Sequence, residues 1–104
     1  MAFVKSVLTD ADIIRLVRLN SRAGAEALYD RYAIALLIAI IRIVPQKSMA
    51  EHTLEQTFIK IWHSFDLYSP KKGKLFTWMV MIARSQAKDA YMPRLQEKQV
   101  LKST

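Results

Sequence analysis

The residues best equipped for chemistry lie between Tyr68 and Lys88. Tyr68, Ser69, Lys71, Lys72 and Lys74 crowd one short loop, and Thr77, Arg84 and Lys88 follow at helical spacing. Ammonium and guanidinium groups beside aromatic rings suit single-stranded nucleic acid, because phosphates attract cations and unstacked bases need a flat surface. Catalytic chemistry finds little here. There is no cysteine, no glycine-rich phosphate loop and no Ser/His/Asp arrangement. Glu51, His52 and Glu55 share one helical turn, but helical metal sites use Glu-x-x-His from several helices, and here a single copy runs in reverse. A solvated helix face is the better reading. The sequence therefore predicts a binding protein rather than an enzyme, with no metal and no cofactor.

Charge placement supports a polyanionic partner. The net charge is +7. Residues 1–69 hold eight Lys/Arg and seven Asp/Glu, whereas residues 70–104 hold eight and two, so the last third carries +6 of the excess. Such asymmetry marks a surface for nucleic acid, against the simpler reading of a solubilising face. The longest apolar run, Ala33 to Ile41, is far short of the ~20 residues a membrane span needs. It fits a buried helix. Absence of cysteine fits a reducing cytoplasm.

The elements that must hold these groups are helices. Only two Gly and three Pro interrupt the chain, and 52% of residues are hydrophobic. Thr9 and Asp12 form a capping-box pattern before Ile13, Leu16, Val17 and Leu19. A second helix is expected from about Ala23 to Val44, central and most enclosed from Ala33 onward, with Asp30 and Arg31 solvated. Ser48 and Glu51 suggest another capping box, opening a helix from about Met49 to Phe65. Its apolar side is Ala50, Leu54, Thr57, Phe58, Ile61 and Phe65. Its open side is His52, Glu55, Gln56, Ile59 and His63, with Ile59 the misfit. Asp66 to Gly73 is read as a loop. The last helix, about Leu75 to Met92, buries Leu75, Trp78, Met79, Ile82 and Ala83 and leaves Thr77, Met81, Arg84, Lys88 and Tyr91 open. Both Trp62 and Trp78 are expected in the core. Pro93 is expected to stop the helix, leaving residues 93–104 as a basic tail or the start of a linker. The predicted class is all-α: a compact bundle of three to four helices over residues 1–92.

The ordered series Ala25, Leu28, Tyr29, Tyr32, Ala50-Glu51, Phe58, Ile61-Trp62, Phe65, Gly73, Trp78, Ile82-Ala83-Arg84 and Asp89 resembles region 2 of bacterial sigma factors of the extracytoplasmic-function (ECF) type. The resemblance covers roughly Asp10 to Tyr91. It implies a domain that binds the clamp helices of the RNA polymerase β′ subunit, recognises the minus-ten promoter element on the non-template strand and captures a flipped base. It also implies an anti-sigma factor among the partners. On this resemblance the polymerase-binding residues are Glu51, His52, Glu55, Gln56 and Ile59. The DNA-binding residues are Tyr68, Ser69, Lys71, Lys72, Lys74, Thr77, Arg84 and Lys88. This chain departs from the family pattern at His52, where an Asp is usual, and at Glu55-Gln56, whose order is inverted. Such factors carry a second helical domain with a helix-turn-helix, for which nothing after Tyr91 has room. The sequence thus reads as an excised domain or a short relative. A protein-interaction module built on the same bundle, without sequence-specific DNA binding, is the alternative.

Overall fold

The structure, a computed structural model, describes residues 8–103, with side chains described as far as Tyr91. Among these residues the protein is all-α, as the apolar spacing predicts. It has four α-helices, α1 (Asp10–Arg18), α2 (Arg22–Ile41), α3 (Lys47–Ser64) and α4 (Leu75–Ser103). Two short 3₁₀ turns, Phe65–Leu67 and Pro70–Lys72, join α3 to α4. The chain divides into two units, Met1–Ala33 and Ile34–Thr104.

The first unit is an αα-hairpin held by its joint. Thr9 caps α1 as predicted: its hydroxyl accepts from the Asp12 amide, and the Asp12 carboxylate accepts from the Thr9 amide. These bonds to Thr9, backbone first, hold the Asp12 pKa below its usual value. At the other end Asn20 takes a positive φ of 56°. The Asn20 amide donates to the Val17 carbonyl and the Ser21 amide to the Leu16 carbonyl, closing α1 with a Schellman motif. Ser21 then accepts the Gly24 amide at the start of α2. Gly24 permits the close approach: a Cβ there would lie 2.7 Å from backbone and side-chain atoms of Leu16 and Val17.

Arg31 is exposed, as the sequence suggests, but it is also tied down. It pairs with Asp10 at 3.2 Å and donates to the Leu8 carbonyl, while the Tyr32 hydroxyl donates to the same Asp10 carboxylate. Burial, then the bond to Asp10, pushes the Tyr32 phenol up to about 12.

In the second unit α3 packs on α4. The α3 side carries Ala50, Thr53, Leu54, Thr57, Phe58 and Ile61, and the α4 side Leu75, Met79, Ala83 and Ala87. The two threonines fit an apolar seam because each hydroxyl bonds back along the helix, Thr53 to Met49 and Thr57 to Thr53. Small Ala83 and Ala87 complete the α4 seam. Trp78 and Ile82, expected in the core, are only half-buried.

Four sequence expectations need correction. Ser48 does not cap α3: the helix begins two residues earlier than expected, at Lys47, and the Gln46 carbonyl accepts the first bond, from Ala50. Ser48 is already helical, so its hydroxyl cannot reach the first-turn amides in capping geometry. The helix α2 ends at Ile41, where the Ile43 and Val44 amides converge on the Ile40 carbonyl in a tightened last turn before Pro45. Nor is α2 enclosed all round: Leu36, Ile40 and Val44 are buried, but Ile34 is 74% exposed and Ile38 and Ile41 are also open. A uniformly apolar composition cannot tell a helix which stripe will be covered. Finally, α4 does not stop at Pro93 but continues to Ser103. Proline costs the Asp89 carbonyl its helical partner, yet the strong helix formers of Leu95 to Leu101 resume the pattern beyond it.

Candidate nucleic-acid interface

The segment between α3 and α4 is a built structure rather than a slack loop. Its two 3₁₀ turns are closed by the Tyr68 amide on the Phe65 carbonyl and the Lys72 amide on the Ser69 carbonyl. Gly73 sits at φ 151°, a backbone conformation side-chain-bearing residues rarely adopt, and lets the chain swing into α4. The Lys74 carbonyl accepts the Trp78 amide at the start of α4.

An aromatic cluster braces this segment. Tyr68 lies 5.2 Å from Trp78 and 6.0 Å from Phe65 between ring centroids, and Phe65 meets Trp78 edge-on at 5.7 Å. The Tyr68 hydroxyl donates to the Gly73 carbonyl at 2.9 Å, tying one end of the loop to the other. Tyr68 is therefore not the exposed ring that the sequence suggests. It is 5% exposed, because its ring fills the space between Phe65 and Trp78 while its phenol reaches the loop backbone.

Beside this cluster opens a cleft of ≈ 220 Å³, lined by Leu67, Tyr68, Ser69, Lys72, Gly73, Lys74, Thr77, Trp78 and Met81. That is below the roughly 300–1,000 Å³ of sites for drug-sized ligands. Its walls are aromatic and thioether; its rim is cationic. Of the sequence candidates, Tyr68, Ser69, Lys72, Lys74 and Thr77 meet here. Lys71 is exposed but outside the lining. Arg84 and Lys88 are exposed further along the same helix, two and three turns beyond Thr77, and extend the cationic track rather than the cleft. Sequence reasoning missed Leu67, Trp78 and Met81 as lining. Met81 carried a usable signal, standing between Thr77 and Arg84 on the open stripe, and it is 65% exposed.

The outward side of α3 is a separate surface. Glu51, His52, Glu55, Gln56 and Ile59 are all exposed, as their spacing predicts, and Ile59 is 45% open among polar neighbours. Trp62 is half-buried and tilts against Phe58 at 6.0 Å. Among the described residues no group of three or more His, Asp or Glu side chains converges as a metal site would require. No helix among them is long and apolar enough to cross a membrane.

Fold and site together define an all-α domain with a cationic, aromatic-walled cleft on one helix pair and an open, mixed helix face beside it. The family model for sigma-70 region 2 matches residues 28–94, and the chain belongs to that family. It is similar to ECF RNA polymerase sigma factor SigK of Mycobacterium sp. (strain KMS), 29% identical over 84 residues, covering 80% of this chain and 44% of the relative. SigK of Mycolicibacterium vanbaalenii is 25% identical over 85 residues, 79% of this chain and 43% of that one. The chain thus spans less than half the length of these curated relatives. No solved structure matches it.

Proposed function

We propose that this chain serves as a transcription initiation module that engages RNA polymerase through α3 and single-stranded promoter DNA through the α3–α4 segment and α4. Family membership supports the general role. The observation that carries the DNA half is the cleft: Trp78 and Met81 wall a base-sized space whose rim is Lys72 and Lys74. A flipped base from the minus-ten element's non-template strand would enter it, with its flanking phosphates against Lys71, Lys72 and Lys74 and the adjoining strand along Arg84 and Lys88. Flipping costs a few kcal/mol of unstacking, least when the strand is already melting. Base–aromatic contact returns about 1–3 kcal/mol.

The polymerase half rests on Ile59. One apolar side chain ringed by Glu51, Glu55, Gln56 and His52 has the composition of a protein contact rather than of a phosphate contact. Pulldown with a β′ clamp-helix fragment tests it. Binding is expected, with a loss of at least tenfold in Ile59→Asp, since a carboxylate would be carried into an apolar contact. Retention of the fragment by Ile59→Asp at unchanged affinity would remove α3 from the interface. Tight fragment binding together with no affinity for any oligonucleotide would favour a protein-interaction module instead. Acting in the cytoplasm with core polymerase, the module remains open to an anti-sigma partner.

A further inference from the structure

The cleft's polar groups are biased toward donation. Lys72 and Lys74 only donate, and Ser69 and Thr77 carry hydroxyls that donate or accept; no carboxylate or amide side chain is in the lining. Three loop carbonyls already accept one bond each: Ser69 from the Lys72 amide, Gly73 from the Tyr68 hydroxyl and Lys74 from the Trp78 amide. The rest of the wall is Leu67, Trp78 and the 65%-exposed Met81, apolar apart from the indole N–H, which only donates.

From this chemistry we infer that the cleft selects thymine among the four bases. The inference rests on the base-capture reading above and sharpens it. Thymine presents the O4 acceptor and a C5 methyl group, where cytosine presents an N4 amino donor and no methyl. Its carbonyl oxygens meet ammonium and hydroxyl donors, its lone ring N–H needs one hydroxyl acceptor, and its methyl lies against Met81. Adenine and cytosine each bring an amino group that lysine cannot accept. Guanine offers acceptors but adds an amino group of its own and a second ring to a small cleft.

The test uses the full chain and a set of short strands, abasic throughout except for one nucleobase, so that phosphate attraction is constant. Affinities are read by fluorescence anisotropy. Thymine is expected to bind best. Uracil should be weaker by roughly threefold to fourfold, the worth of one buried methyl group. Cytosine should be weaker still, by roughly tenfold against thymine, for the lost acceptor and the unmatched amino group. Met81→Ala should narrow the thymine–uracil gap without altering how the all-abasic strand binds. If base-bearing strands outbind the abasic one but cytosine or a purine leads, the thymine assignment is overturned and capture stands. If all strands bind equally, capture itself fails and the assignment falls with it. Equal affinity for thymine and uracil would remove the methyl contact on which the selection depends.

Discussion

Neutralising Lys72 and Lys74 should weaken the salt dependence of binding by an amount that follows from the number of cations lost. Among the loop and α4 residues whose side chains are described, five cations are available to a single strand: Lys71, Lys72 and Lys74 in the loop, and Arg84 and Lys88 on α4, all exposed. Each phosphate neutralised on a single strand contributes about −0.7 to the slope of log K against log salt concentration, so five give about −3.5. Between 50 and 200 mM salt, affinity should then fall roughly 130-fold. In the double variant Lys72→Gln, Lys74→Gln only three cations remain, the slope becomes about −2.1 and the fall roughly 18-fold. Both lysines are solvent-facing. Thermal melting of the variant should therefore match the parent, and the change can be assigned to binding. The assay is anisotropy of a labelled single-stranded oligonucleotide titrated at four salt concentrations. A slope that stays near −3.5 in the double variant would mean that the strand does not pass the cleft rim. A slope near zero in the parent would refute phosphate contact altogether.

Gly24→Ala should lower Tm although alanine is the better helix former. The roughly 1 kcal/mol of propensity gained is outweighed by overpacking of about 1–3 kcal/mol, because the new Cβ meets backbone atoms of Leu16 and Val17 at 2.7 Å. A fall of several degrees by calorimetry is expected, and a rise would contradict the packed α1–α2 hairpin. Tyr32 predicts alkaline sensitivity. Its pKa rises from 10.0 to about 12 on folding, so the unfolded chain ionises first and stability falls as pH climbs between those values. Denaturant titrations should show a smaller alkaline loss in Tyr32→Phe; an identical pH profile would mean that the half-buried phenol and its Asp10 bond do not form.

How much of this was legible in the sequence differs by residue. The capping box at Thr9 and Asp12 and the seam from Ala50 to Ile61 follow from local chemistry and from periodicity, and both signals are short-range. The exposed row from Glu51 to Ile59 was readable for the same reason. Three features depended on tertiary partners and were not readable. The ion pair of the exposed Arg31 was hidden because its partner Asp10 lies 21 residues away. Tyr68 looked like a free stacking ring because nothing in its flanking residues reveals that Phe65 and Trp78 will enclose it. Ile34, Ile38 and Ile41 looked buried because their helix is apolar on every side, and only packing decides which stripe is covered. The cleft itself is the sum of such choices. Its rim was visible as a lysine cluster, whereas its walls required the fold.

Base capture is tested most directly by scanning a promoter-like single strand with one abasic substitution at a time and measuring affinity for the full chain and for Trp78→Ala. The cleft predicts one position where loss of the base costs about tenfold, within the ~1–3 kcal/mol that a base gains on an aromatic surface. In Trp78→Ala that position should lose its distinction, while the remaining positions keep their affinities relative to one another. A flat abasic profile in the parent, or a sensitive position that survives unchanged without Trp78, would contradict the assignment of the Tyr68–Trp78–Met81 cleft as the base-binding site.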